Sequence, residues 1–396
     1  MSQKLKIDWS GKAFKYSQKE INVVMEVMQQ GDPLTQGKFL NEFEQNFSAY
    51  TNSPHSFAVS NCTNALELSA VLCKINSDDE VIIPAHTFCA TAIPFARQGA
   101  KIKWADIDPE TRVISIDSIR SLISKKTKAI IVVHLYGLMA NMEIIMEEAK
   151  KFDCLVVEDC AQALGAEYKG KKAGTWGDFG TFSFHAQKNM TTLGEGGMLT
   201  VKSDMHARLI PGLRHNGIRG FEQDREDYWV PAMANVDLDL EEIWPYNFCL
   251  GEAQCALGTK VLERIDKMNE ERILRATKFK KALKEFPELT FQNFSTDYKH
   301  CYHLLSAKYD GKSTGKNRND LIRALISDFK IKAVVQYYPL YRYPLFKKMG
   351  FGNANCPNTD DFFDNMISFP FHIWMSEKQF DYLIDSTIEA LQSLRK

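Results

Sequence analysis

The stretch Gly180-Thr181-Phe182-Ser183-Phe184-His185-Ala186-Gln187-Lys188-Asn189-Met190-Thr191-Thr192-Leu193-Gly194-Glu195-Gly196-Gly197 decides the reading of this 396-residue chain. An apolar strand, Phe179 to Phe184, delivers a Ser, a His and a Lys into a Thr- and Gly-rich turn. The next strand, Gly197 to Val201, follows at once. A lysine hemmed in by apolar strands is costly as an ammonium ion. Burial lowers its pKa and makes it a nucleophilic amine suited to a Schiff base. The competing reading is a lysine that reaches out to solvent, and for an isolated lysine that reading wins.

A second segment lies just upstream: Val156-Val157-Glu158-Asp159-Cys160-Ala161-Gln162-Ala163-Leu164-Gly165-Ala166. A buried strand ends here in two acids, and a bare charge at such a place must be paired. Alone, the pair reads as a helix cap or a structural ion pair. Further out, β-rich runs at Val81–Pro84, Lys101–Trp104, Ala129–His134 and Cys154–Glu158 alternate with helical patterns at Thr63–Lys74, Phe88–Gln98, Ser115–Ile123 and Glu143–Phe152. Apolar strands joined by helices indicate an α/β fold with a sheet covered on both faces. Ligands of such sheets bind beyond the carboxyl ends of strands, where both segments lie.

After residue 218 the pattern breaks. Arg219 to Trp244 is rich in charge, aromatics and proline, an excursion whose length points to substrate recognition or subunit contact. One long helix is expected from Glu252 to about Phe286, where Leu257, Val261, Ile265 and Met268 recur at helical spacing. The remainder mixes strands (Tyr302–Ala307, Ile331–Tyr337) with helices (Arg318–Phe329, Glu377–Leu394). We divide the chain into a large domain, 1–251, and a smaller α+β domain, 252–396, with the N-terminal helix able to join the smaller one.

Composition excludes several classes. Lys plus Arg number 49 and Asp plus Glu 50, for a formal charge of -1, so no basic excess favours nucleic acid. No apolar run approaches the length of a membrane span, and the polar beginning has no signal-peptide pattern, which implies a cytoplasmic protein. The nine cysteines include no CxxC pair and read as buried free thiols, with no metal site. No GxGxxG supports a nicotinamide dehydrogenase.

Taken together, the two segments resemble the DegT/DnrJ/EryC1/StrS family of sugar aminotransferases. The matching elements are Glu158-Asp159, Gln162, Gly165, Ser183-Phe184-His185, Lys188-Asn189, Thr191-Thr192 and Glu195-Gly196-Gly197, with Leu193 as one residue more than the family pattern. The resemblance extends through Ser60-Asn61-Cys62-Thr63, Asp79 to Pro84, Thr87 to Thr91, Asp106 to Pro109, His134 to Gly137 and Tyr246-Asn247-Phe248. It implies a fold-type I aminotransferase: a large domain with a mostly parallel seven-stranded sheet and a smaller C-terminal domain.

The resemblance also implies pyridoxal 5'-phosphate on Lys188, with Asp159 pairing the pyridine nitrogen, Gln162 bonding the ring hydroxyl and Phe88 stacking on the ring. Phe88 has core packing as its plain alternative. Ser183 and the amides of Cys62 and Thr63 are the phosphate donors, since Thr63 opens a helix. Asn247 is implied to reach the phosphate from the neighbouring subunit, which makes a homodimer with shared sites. His185 and Arg219 are candidates for substrate contact, His185 with an even chance of a plain hydrogen-bonding role. Arg214 and Arg219 are candidates for the donor carboxylate, with a solvated or interface role as alternative. His134 reads as structural. The implied reaction moves an amino group from glutamate to a nucleotide-linked keto-sugar, for surface polysaccharide, lipopolysaccharide or glycosylated metabolites. The rival dehydratases of this fold carry His in place of the lysine, and a non-catalytic regulator has no need of Lys188, Asp159 and Gln162 together.

Overall fold

The apolar runs between residues 55 and 201 assemble into one seven-stranded sheet in the computed structural model, which describes residues 5–218 and 240–396. Its strands are β1 (His55–Val59), β2 (Glu80–Pro84), β3 (Lys101–Ala105), β4 (Thr127–Val133), β5 (Leu155–Asp159), β6 (Phe179–Ser183) and β7 (Gly197–Val201). Their spatial order is β1-β7-β6-β5-β4-β2-β3. The pairings from β6 through β5, β4 and β2 to β3 are parallel, and only β7 runs against its neighbours β6 and β1. Six of these strands match the sequence expectation within two residues, and β1 is the addition.

Successive side chains point to opposite faces of a strand, and the cores follow that rule. Ile130, Val132, Val156 and Phe182 join one hydrophobic cluster, whereas Ala129, Ile131, Val157 and Phe179 join the other. The first cluster is closed by helix α2 (Lys38–Thr51), whose Phe47 packs edge-on against Phe182 at a ring separation of 4.9 Å. The second is closed by α3 (Cys62–Leu72), buried along nearly its whole length.

The expected long helix is two helices, α4 (Glu252–Leu262) and α5 (Ile265–Ala282), separated at Glu263–Arg264. At the break Arg264 turns its guanidinium onto the buried Glu20 of α1 (Gln18–Gln30), with Nε donating to Oε1 at 2.6 Å. Helix α4 packs on α1 and α2, and its buried Glu252 accepts the amides of Gly37, Phe39 and Leu40 at the start of α2. Glu252 thereby supplies the cap that Gly37, without a side chain, cannot.

The C-terminal part contains a three-stranded antiparallel sheet of β8 (Leu289–Phe291), β9 (Leu305–Tyr309) and β10 (Met366–Phe369), in the order β8-β9-β10. It is backed by α5 and by α6 (Glu377–Leu394), around Phe279, Phe369 and Phe380. Residues 331–337 form no strand. They make single bridges, Ile7 with Ile331 and Val334 with Ser368, and then cross to the large sheet. No helix among the described residues is long and apolar enough to cross a membrane.

Candidate active site

Strands β5 and β6 run parallel with Asp159 opposite Thr181, so Asp159 and Ser183 end on the same side of the sheet. Just beyond them lies a cavity of about 630 Å³, lined by Asp159, Gln162, Ser183, His185 and Lys188 and, from α3, by Cys62 and Thr63.

Asp159 is buried, and each oxygen is engaged. The Ala161 amide donates to Oδ1 at 3.0 Å and the Thr91 hydroxyl to Oδ2 at 2.8 Å. These two donors fix the orientation of the carboxylate. Its neighbour Glu158 faces the opposite way and is fully enclosed. His134 Nε2 meets Oε2 at 2.8 Å, and the amides of Gly174, Trp176 and Gly177 converge on the carboxylate. Burial alone raises that carboxyl. The bond to His134, its charge and the Gly177 and Gly174 amides outweigh burial and hold it below its ordinary value. The two acids therefore divide: Glu158 is the structural ion pair of the plain reading, with His134 structural as expected, and Asp159 faces the cavity. Cys160 joins His134 and Glu158 in a buried cluster of metal-ligand types, yet Glu158 is already fully supplied with protein donors.

Lys188 sits in the turn after β6, partly buried, with its side chain on the cavity. Burial pushes its amine below the ordinary range, against the opposing pull of Asp159, Cys62 and Glu195. The turn is rigidly held. Asn189, buried, donates through Nδ2 to Asn269 Oδ1 of α5 at 3.0 Å and to the Cys301 carbonyl at 3.1 Å. Across the turn, Ala186 N–H donates to the Gly194 carbonyl, and Thr192 Oγ1 to the Glu195 carbonyl. Leu193, the extra residue, takes φ +62° at the half-exposed tip and is accommodated there. Gly197 meets a different demand: a Cβ there falls 2.5 Å from the Asn61 carbonyl carbon, so only glycine lets β7 pass the turn that opens α3.

That turn presents an anion site. Asn61 caps α3 by accepting from the Asn64 amide at 2.9 Å, and no described group bonds the amides of Cys62 and Thr63. Free amides at a helix start, one buried carboxylate and one amine on a shared cavity are the donor set that pyridoxal phosphate needs for its phosphate, ring nitrogen and aldehyde.

Phe88 is 54 % exposed and stands in the cavity wall, so core packing does not describe it. Gln162 is buried. Its Oε1 accepts the Tyr136 amide at 2.8 Å, and its Nε2 donates to the Tyr337 hydroxyl at 3.1 Å. Asn247 is exposed, bridges to His215 and does not line this chain's own cavity. Arg219 lies outside the described residues, as do Tyr228 and Trp229. Arg214 is buried and ion-paired with Glu44, and its Nη1 also donates to the Ala58 carbonyl. It is not available to a substrate carboxylate, and that reading is corrected. Sequence reasoning gave no individual role to Thr91, and offered Tyr337 only as part of the run Gln336–Tyr341, a candidate for substrate specificity. The folded backbone brings Thr91 to Asp159 and Tyr337 to Gln162.

The sequence model of the DegT/DnrJ/EryC1/StrS aminotransferase family matches residues 15–387. The chain belongs to that family. It is thus a pyridoxal-phosphate-dependent sugar aminotransferase. It is 32% identical over 379 residues to the spore coat polysaccharide biosynthesis protein SpsC of Bacillus subtilis, covering 95% of this chain and 94% of that one. It is 31% identical over 356 residues to GDP-perosamine synthase of Escherichia coli O157:H7, covering 90% and 91%. The pyridoxal-phosphate form of the putative sugar aminotransferase Spr1654 of Streptococcus pneumoniae superposes with a TM-score of 0.84, at 25% identity over 98% of this chain and 99% of that one.

Proposed function

We propose that this family member transfers an amino group from glutamate to a nucleotide-linked keto-sugar used in a surface polysaccharide or a related glycosylated product. The observation that carries the reading is the shared cavity: the Lys188 amine, the Asp159 carboxylate and the free amides of Cys62 and Thr63 border one space. The likeness to GDP-perosamine synthase supports a nucleotide-linked acceptor.

When bound, pyridoxal phosphate supplies an electron-withdrawing ring that stabilises negative charge on the amine-bearing carbon. The side chains do the rest. Asp159, oriented by Thr91 and the Ala161 amide, would pair with the ring nitrogen. Gln162 holds the ring hydroxyl, and Phe88 covers a ring face and excludes water. Ser183, with the amides of Cys62 and Thr63, takes the phosphate, and Asn247 of a second subunit completes that set. Lys188 carries the cofactor and, once its amine is free, moves the proton at the amine-bearing carbon. His185 borders the substrate side, and Arg219 remains a substrate candidate on the sequence argument alone.

The test is the visible absorbance of the purified protein before and after glutamate. A yellow protein that bleaches supports both the cofactor linkage and the donor. A yellow protein unmoved by glutamate removes glutamate as donor.

A further inference from the structure

A second, smaller cavity, of about 70 Å³, adjoins the first on the side of the C-terminal sheet. His185, Gln187, Lys188, Gln336 and Tyr337 border both, so Lys188 stands at their junction. The smaller one is also lined by Lys12, Trp9, His303, Phe371 and His372.

Two features set it apart. First, its charge has one sign: no described lining residue is acidic, whereas the larger cavity holds Asp159 and Glu195. Directly behind it, Arg272 is fully buried over the Phe371 ring at 5.6 Å, forms no ion pair among the described residues and leaves Nε without a partner. A buried guanidinium without a counter-charge is a costly arrangement that favours any anion brought near. Second, His303 and His372 are each more than nine-tenths buried, and the Nδ1 of each has no hydrogen-bond partner. Burial holds both imidazoles neutral, His372 down to about 4, so each offers an N–H donor without adding a charge of its own.

We infer that this smaller cavity is the subsite for the carboxylate of the amino-acid donor, held by Lys12 and His303 beside Lys188. The inference rests on the proposed transaminase reading and adds the residues that select the donor. Size argues for a carboxylate. A nucleotide's phosphates need far more room, and the larger cavity provides it. Trp9, Tyr337 and Phe371 give the subsite apolar walls against which a donor's methylenes can pack, leaving the carboxylate as the polar end.

The test uses the holoenzyme and a non-reactive probe, glutarate, with binding followed by calorimetry, alongside bleaching by glutamate. Lys12→Ala and His303→Leu are each expected to weaken glutarate binding and raise the glutamate concentration for half-bleaching by at least tenfold, with cofactor content unchanged. Lys12 is exposed, so its variant remains informative if the buried histidine variant fails to fold. Glutarate binding that is absent from the parent enzyme, or equal in Lys12→Ala, overturns the subsite even where glutamate bleaches the enzyme. Loss of uridine diphosphate binding in these variants, with glutarate unaffected, overturns it in favour of a phosphate site. Normal glutarate selectivity without bleaching by glutamate leaves the subsite standing and removes the proposed donor reaction instead.

Discussion

Thr91 donates its hydroxyl to Asp159 Oδ2 at 2.8 Å, in a place where both side chains are buried. Thr91→Val keeps the shape and removes the donor. It leaves a carboxylate oxygen under-supplied, at a cost of about 1–3 kcal/mol. Thermal melts should show that loss, and titration with pyridoxal phosphate should show several-fold weaker binding. Unchanged cofactor affinity would mean that Asp159 needs no help from Thr91.

Glu158 and His134 form the buried pair behind the site. Removing one partner of such a pair costs about 3–5 kcal/mol. Glu158→Gln is therefore expected to unfold well below the parent at neutral pH. The sign of the pH effect follows from the lowered carboxyl. Its stabilising contribution is complete above the ordinary value of 4.5 and fades as pH falls through the lower folded value. The melting curves of parent and variant should converge on acidification. A gap that widens contradicts the assignment.

Phe88 is exposed in this chain, which separates its two possible roles. Phe88→Ala should change stability by no more than about 0.5 kcal/mol, as for other surface positions. Cofactor binding should weaken by about 2–10-fold, the range of an aromatic stacking contact of 0.5–1.5 kcal/mol. A large melting shift with normal cofactor binding returns Phe88 to a packing role.

Asn247 does not line the cavity that holds Lys188 of its own chain. If it serves the neighbouring site, Asn247→Ala and Lys188→Ala proteins are each impaired, and mixing them after dissociation restores activity in the hybrid dimers. Mixtures no more active than their components would show that sites are not shared.

Much of this was legible in the sequence because buried strands announce themselves. The runs at Ala129–Val133 and Val156–Val157 are too apolar to lie anywhere but inside, and they fix where Asp159 emerges. The lysine turn was legible for the same reason, since β6 and β7 bracket it. The break between α4 and α5 was not, because apolar spacing continues through Glu263–Arg264, and Glu20, which Arg264 meets at the break, is remote in sequence. Residues 331–337 carry a strand-like composition, yet their partners are single bridges, and their one aromatic faces the site: Tyr337 reaches Gln162 from 175 residues away. Arg214 looked free because Glu44, which pairs with it, is equally remote in sequence. Contacts of that separation have no local signature.

The most direct test of the central claim is to reduce the holoenzyme with borohydride, digest it and locate the modified residue by mass spectrometry. The account predicts a pyridoxyl group on Lys188 alone, absent from Lys188→Ala. A pyridoxyl group on another lysine, or on none, contradicts it.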